Sequence, residues 1–210
     1  FVIIIYKPKL RSMKQLTLIA AAVIIFASCS SDKKKENNTT NKEKKDVAAE
    51  YLVSKDGIGE LKIGMTQAEI EKLLNQSLVM KHDKDAEAWM DTTTAKYKDI
   101  DVTLFFEKQY AEDENSPRIM QLSGISTTSP KCRTATGLGV GDDKMAIIEA
   151  YDNSPIDLGP EYFMVNDTTW EPSKTKFYVN VKDDKYDKQL VFKLENKKIT
   201  ALEATLFIGE

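Results

Sequence analysis

The 210-residue sequence contains one histidine and two cysteines, and this scarcity excludes several kinds of site. A Ser-His-Asp or Cys-His catalytic relay has to use His82, which lies in a charged stretch with no apolar neighbour. We therefore expect His82 to be an exposed loop residue. A zinc site needs several His and Cys ligands, which so few residues cannot supply.

Other kinds of chemistry leave only weak patterns. The glycine-rich residues 137–141 lack the Gly-Lys-Ser/Thr ending of a phosphate-binding loop. Paired carboxylates for catalysis could be sought at Asp101 with Glu107 or at Asp183 with Asp184, but such pairs arise by chance among 33 acidic residues. Residues 183–187 have too few suitably spaced ligands for a calcium-binding loop. The sequence predicts no catalytic, cofactor or metal residues and no enzyme; a carboxylate-dependent hydrolase is the least favoured alternative.

Clustered positive charge is also missing. The formal net charge is −3, and residues 1–28 hold four basic residues and no acidic one, so the remainder carries about −7. Nucleic-acid binding depends on clustered Lys and Arg facing phosphate, and this balance predicts no nucleic-acid partner.

The N-terminal segment resembles an export signal. Residues 1–12 precede the first methionine and are interpreted as upstream read-through. After Met13 and Lys14, residues 16–26 form an apolar run too short to span a membrane comfortably, and small residues then lead to Cys29. This resembles the signal of bacterial lipoproteins, which implies removal of residues 13–28, acylation of Cys29 and a place in the cell envelope, at the outer membrane of a Gram-negative bacterium. A plain signal peptide with an incidental cysteine is the alternative.

The region after Cys29 is predicted to be a tether. Residues 30–46 contain no large apolar side chain, so no apolar burial would offset the entropy lost if they became ordered. Residues 29–49 are therefore expected to be disordered and to hold a domain away from the membrane. With Cys29 acylated, Cys132 has no partner for a disulfide, and the fold must be held by its core. Cys132 is expected to be a small apolar residue near a strand end.

A sequence repeat divides the rest of the chain. Residues 61–74 and 138–151 correspond when Gly64 is set on Gly141, an offset of 77 residues. In the first copy, Thr66 and Glu69 form a predicted capping box before an apolar helical stripe; in the second copy, Asp143 takes the cap position. We therefore predict two repeat units, residues 50–131 and 132–210.

Each predicted helix is followed by strand patterns. These cover residues 86–92, 100–107, 118–126, 162–166, 176–182, 188–194 and 199–207, with a hairpin turn at 196–198. The order predicts an α+β fold: a tandem repeat of a helix followed by antiparallel strands, with the helices packed on one face of a curved sheet. Residues 63–74 resemble the opening of small outer-membrane lipoproteins of the SmpA/OmlA type, and the tandem pair resembles β-lactamase-inhibitor-protein-like folds across residues 55–210.

The candidate site is a surface. Phe105, Tyr178 and Val191 lie on strand faces opposite the apolar stripes, and further aromatic residues lie on neighbouring strands or loops: Trp89, Tyr97, Phe163 and Trp170. Aromatic residues on an uncovered sheet face are typical of a binding patch, although core or rim positions are the alternative. The sequence predicts a membrane-anchored, non-enzymatic module that binds or scaffolds protein; the resemblance implies the alternative of an outer-membrane assembly factor or protein inhibitor.

Overall fold

The computed structural model describes residues 47–82, 90–108, 119–183 and 187–206. After a 3-10 turn at Ala49–Tyr51, this part of the chain forms two helices, α1 (Gln67–Leu74) and α2 (Lys144–Ala150). Its strands are β1 (Leu52–Ser54), β2 (Gly57–Ile58), β3 (Leu61–Lys62), β4 (Lys81–His82), β5 (Met90–Tyr97), β6 (Ile100–Lys108), β7 (Met120–Thr127), β8 (Arg133–Thr134), β9 (Ile156–Asn166), β10 (Thr169–Lys182), β11 (Lys188–Glu195) and β12 (Lys198–Leu206).

The strands form two sheets. The larger sheet has the order β4-β5-β6-β7-β12-β11-β10-β9, and every neighbouring pair in it is antiparallel. The smaller sheet has the order β3-β2-β1-β8, in which β1 and β8 run parallel. The strands that directly precede the glycine turns, β3 before Gly64 and β8 before Gly141, lie at opposite edges of this sheet.

The α+β prediction is wrong, because the described chain is mostly β. Its two helices have only eight and seven residues, whereas β9 and β10 alone have 11 and 14. The apolar stripe of α1 stops where Asn75 adopts a left-handed conformation (φ 51°), which ends the helix after two turns. Four short strands, β1, β2, β3 and β8, add a second sheet that the sequence pattern did not reveal.

The two glycine turns make the same contacts in both halves of the fold. The Gly64 N–H donates to the Leu122 carbonyl, and the Gly141 N–H donates to the Ile199 carbonyl, both at 2.8 Å. Both glycines have φ near 92° (92° and 93°), a backbone conformation that favours glycine. Each turn thus fixes the start of a helix against the last strand of its own half.

The predicted helix caps are confirmed. The Thr66 hydroxyl accepts from the Glu69 N–H (3.3 Å), and the Glu69 carboxylate accepts from the Thr66 N–H (2.8 Å). The Glu69 carboxylate also accepts from the Thr66 hydroxyl at 2.9 Å. The bonds from the Thr66 N–H and hydroxyl hold the Glu69 pKa below its usual value, because they stabilise the charged carboxylate. In the second copy, Asp143 caps α2 by accepting from the Met145 N–H at 3.0 Å.

The halves meet where β7 pairs with β12 at the centre of the large sheet. The register places Ser126 opposite Glu203, and these residues are themselves 77 positions apart. Equivalent positions of the two repeats face each other at this pair, so an approximate two-fold axis relates the central strands. Toward the sheet edges the halves diverge, since β9 and β10 are far longer than β4 and β5.

The core lies on one face of the large sheet. The predicted stripes are confirmed: Ile100, Val102, Leu104 and Phe106 of β6 are at most 3% exposed, and β10 and β11 contribute Val179, Val181, Leu190, Phe192 and Leu194. Ile70 of α1 and Ile147 of α2 join the same cluster, with Val53, Ile58 and Leu61 of the small sheet. Burying a large aliphatic or aromatic side chain contributes about 1.5–3 kcal/mol, which makes this cluster the main source of stability.

Candidate binding surface

Phe105 and Tyr178 lie on the sheet face opposite the core, each across from a glycine. Phe105 pairs with Gly124, where an added Cβ would lie 3.2 Å from the ring carbon Cδ2. Tyr178 pairs with Gly159, where an added Cβ would lie 2.6 Å from the phenol oxygen. Each ring therefore lies across its neighbouring strand and is half-buried rather than projecting into solvent.

Tyr178 and Val191 line the same shallow groove on this face. The groove has a volume of about 480 Å³ and runs from β9 across to β12. Val191 is only 7% exposed, so it forms the floor of the groove. Phe105 lies on the same face but outside the groove lining, and a binding role for these three residues stays a prediction.

Polar groups border this apolar floor. Lys193 pairs with Glu203 at 3.0 Å, and the Glu203 side chain is only 14% exposed. The Oε1 atom of Gln189 is buried and accepts no hydrogen bond within the described residues. A buried acceptor without a partner is costly, so a donor group from a bound molecule would stabilise this position.

Trp170 lies on a projecting hairpin. Strand β11 pairs only with residues 176–182 of β10. The part of the β9–β10 hairpin that includes residues 162–172 extends past the end of β11, and we call these residues the arm. The arm presents its large apolar side chains to solvent: Tyr162 58%, Phe163 51%, Met164 53%, Val165 52% and Trp170 58% exposed. The register pairs Trp170 with Met164 and Pro172 with Tyr162, which groups these four side chains on one face.

The other aromatic residues considered for the surface are Trp89, Tyr97 and Phe163. Trp89 lies outside the described residues. Tyr97 is 1% exposed and belongs to the core, where its hydroxyl accepts from the Glu60 N–H at 3.1 Å. Phe163 is on the arm, as is Trp170. The sequence predicted a strand at 162–166 but not that Tyr162, Met164 and Val165 are exposed together. The signal was the run of four consecutive apolar residues at 162–165, because such a strand has no polar face to turn toward solvent.

Cys132 is buried directly before strand β8, in agreement with the expectation of a small apolar residue near a strand end. Burial raises the pKa of its thiol to about 11, although a hydrogen bond with Thr127 opposes the shift. The thiol is therefore protonated at neutral pH, which disfavours nucleophilic chemistry.

The glycine-rich loop at 137–141 is tied to its own surroundings. Asp142 accepts from the Gly139 N–H at 2.9 Å and pairs with Arg133 at 3.0 Å, and Arg133 also donates to the Gly137 carbonyl. The loop amide at Gly139 is thus already bonded to a carboxylate. Asp101, proposed as half of a carboxylate pair, forms an ion pair with Lys96 at 2.8 Å.

Several predictions fall on other parts of the chain. The signal at 13–28 and residues 29–46 of the tether, including Cys29, lie outside the described residues. Asp184 lies outside them as well. The described part contains no helix with the length and hydrophobicity to cross a membrane. Within it, no group of three His, Cys, Asp or Glu side chains is placed to hold a metal ion.

Comparisons with protein-family models, with curated proteins and with solved structures gave no match for this chain.

Proposed function

We propose that this chain is a lipid-anchored protein of the bacterial cell envelope that binds another protein and catalyses no reaction. The observation that carries the binding role is the arm, whose five large apolar side chains are each more than half exposed. Aromatic residues and Met are enriched at protein interfaces, and they dominate binding energy when a partner buries them.

The groove supplies the second part of the proposed interface. Tyr162 belongs to the arm and also lines the groove beside Tyr178, so the two features adjoin. The groove combines an apolar floor at Val191 with the polar groups of Gln189 and the Lys193–Glu203 pair. An apolar centre with a polar border is the usual composition of a protein interface.

A site-specific crosslinking experiment tests the binding role. A photo-crosslinking amino acid replaces Trp170 or Tyr162 in the full chain, expressed in bacteria and illuminated in intact cells. We expect a discrete crosslinked protein from both arm positions. The matched control is the same amino acid at Lys72, an exposed position on α1. Equal labelling at Lys72, or the absence of an adduct at both arm positions, would contradict a specific interface on the arm.

The anchor has a separate test. Cells are given a labelled fatty acid, and the full chain is compared with its Cys29→Ser variant. We expect the label on the native chain alone. Label that persists in Cys29→Ser would show that Cys29 is not the acylated residue, and label absent from both would leave the anchor without support while the arm result stands by itself.

The narrower alternatives depend on the identity of the crosslinked protein. An outer-membrane β-barrel or one of its assembly proteins in the adduct would favour an assembly factor, and an enzyme that loses activity on binding would favour an inhibitor. Both alternatives come from resemblance: that of residues 63–74 to small outer-membrane lipoproteins, and that of the tandem pair across residues 55–210 to β-lactamase-inhibitor-protein-like folds.

A further inference from the structure

A second concave site lies near the base of the arm, separate from the groove. It is a cavity of about 490 Å³, within the range of small-molecule sites, and three segments line it: Lys144, Lys174, Thr175, Phe177, Leu194, Asn196 and Lys197. Leu194 is 1% exposed and Phe177 packs against the core, so both supply apolar surface to the cavity. Three lysines share this lining.

Hydrogen bonds hold the three segments together. The Asn196 N–H donates to the Thr175 carbonyl, and the Lys144 N–H donates to the Lys197 carbonyl, both at 2.9 Å. Asn196 and Lys197 both have positive φ (50° and 68°), which makes the tight β11–β12 turn. The lysine backbones are therefore fixed relative to one another, while their side chains are free to turn toward a ligand.

A bulge in β10 creates the space. Between Pro172 and Phe177 the register with β9 shifts, so β10 contains extra residues that have no partner on β9. The Ser173 hydroxyl accepts from the Lys176 N–H at 2.9 Å, and this bond orders the bulge that contains Lys174. Bulges of this kind occur frequently beside functional sites, because they redirect side chains.

None of the ion pairs among the described residues includes Lys144, Lys174 or Lys197. Lys197 lies close enough to Asp143 to help lower the pKa of that carboxyl, but it forms no ion pair with it. Asp143, which precedes Lys144, instead caps α2 and pairs with Lys198 at 3.7 Å. Three ammonium groups around an apolar surface repel one another until an anion binds among them.

Lys144 and Lys197 have no basic counterpart at the corresponding positions of the first repeat. With the offset of 77 residues, Lys144 corresponds to Gln67, and Asn196 and Lys197 correspond to Ile119 and Met120. The glycine turn and the helix cap are nevertheless common to both halves. Maintaining the fold therefore does not require these lysines.

We propose that this cavity binds a phosphate group attached to an apolar chain. A phosphate presents three acceptor oxygens and close to two negative charges, which match three lysine ammonium groups better than a single carboxylate does. Phe177 and Leu194 then contact the apolar chain next to the phosphate. Phosphatidic acid in a membrane and soluble phosphate monoesters share this chemistry.

Calorimetric titration of the full chain in a neutral detergent tests the proposal with octyl phosphate as the probe. Octyl glucoside, which has the same chain and no charge, and inorganic phosphate, which has no chain, are the comparison ligands. We expect octyl phosphate to bind more tightly than either, and its affinity to fall as salt is added. Replacing Lys144, Lys174 and Lys197 together by Gln should weaken binding about tenfold or more.

The matched control removes three lysines elsewhere, as Lys62→Gln, Lys72→Gln and Lys81→Gln, and circular dichroism verifies that both triple variants are folded. Equal affinity for octyl phosphate in the two triple variants would overturn the proposal, as would equal binding of octyl glucoside. Two supporting outcomes identify the source of the phosphate. Displacement by detergent micelles that contain phosphatidic acid indicates a membrane headgroup, and no displacement indicates a soluble phosphate monoester.

Discussion

Gly64 and Gly141 show, at the residue scale, why both copies of the repeat have a glycine before the helix cap. A Cβ added at either position would meet no atom within 4 Å, so space is not the constraint. The constraint is the backbone, because φ is 92° at Gly64 and 93° at Gly141. A side chain at such an angle contacts its own backbone, which other residues avoid.

We predict that Gly64→Ala and Gly141→Ala each lower the free energy of unfolding by about 1–2 kcal/mol, through backbone strain alone. Urea unfolding followed by circular dichroism measures the change. The two variants should agree closely, since the two turns have the same geometry. Lys72→Ala, on the exposed side of α1, is the control and should change stability by less than about 0.5 kcal/mol. A neutral Gly64→Ala would contradict the requirement for positive φ.

The candidate surface shows how far single residues could be predicted. Tyr178 and Val191 were predicted to share a face because strand side chains alternate, and both line the groove. Their exposure could not be predicted in the same way. Val191 is buried because neighbouring strands place Asn180 and Glu203 beside it, and strand order is a property of the whole sheet.

At the scale of elements, the sequence predicted long, regular segments and missed short or interrupted ones. Strand β6 alternates over nine residues and was recognised, and the turn before β12 was recognised from its polar residues. Strands β1, β2, β3 and β8 have two or three residues, too few to show a period. Gly159 and Pro160 interrupt β9 and Pro172 interrupts β10, so residues 156–161 of β9 and 169–175 of β10 were not recognised as strand.

One turn links the two sheets electrostatically. Asp56 lies in the turn between β1 and β2, and the Lys188 ammonium donates to its carboxylate at 2.7 Å from the start of β11. This bond holds the Asp56 pKa below its ordinary value, because it stabilises the charged form. The contribution to stability is complete above the ordinary pKa and disappears as the pH falls through the lowered pKa.

We predict that Lys188→Gln raises the Asp56 pKa toward its ordinary value, as measured by carboxyl NMR signals during acid titration. The pair is solvent-exposed, so its loss should cost no more than about 1 kcal/mol at neutral pH and nothing once Asp56 is protonated. Lys72→Gln removes the same charge from α1 and serves as the control. An Asp56 titration that is identical in the two variants would show that Lys188 is not its partner in solution.

At the scale of the whole domain, the central β7–β12 pairing joins the two halves into one sheet above one core. The buried residues of both halves belong to a single cluster, including Leu122 of β7 and Ile199 of β12. These two residues are equivalent in the repeat, and each accepts a hydrogen bond from the glycine turn of its own half. A shared core with no internal boundary predicts that the halves unfold together.

We therefore predict that Leu122→Ala and Ile199→Ala each lower the free energy of unfolding by about 2–5 kcal/mol and weaken both halves equally. Hydrogen exchange measured on peptides from β6 and from β11 reports each half separately, and protection should fall by the same free energy in both. Trp170→Ala on the arm is the control, with a change below about 0.5 kcal/mol because the indole is mostly exposed. Loss of protection confined to β6 in Leu122→Ala would show that each repeat folds as an independent unit.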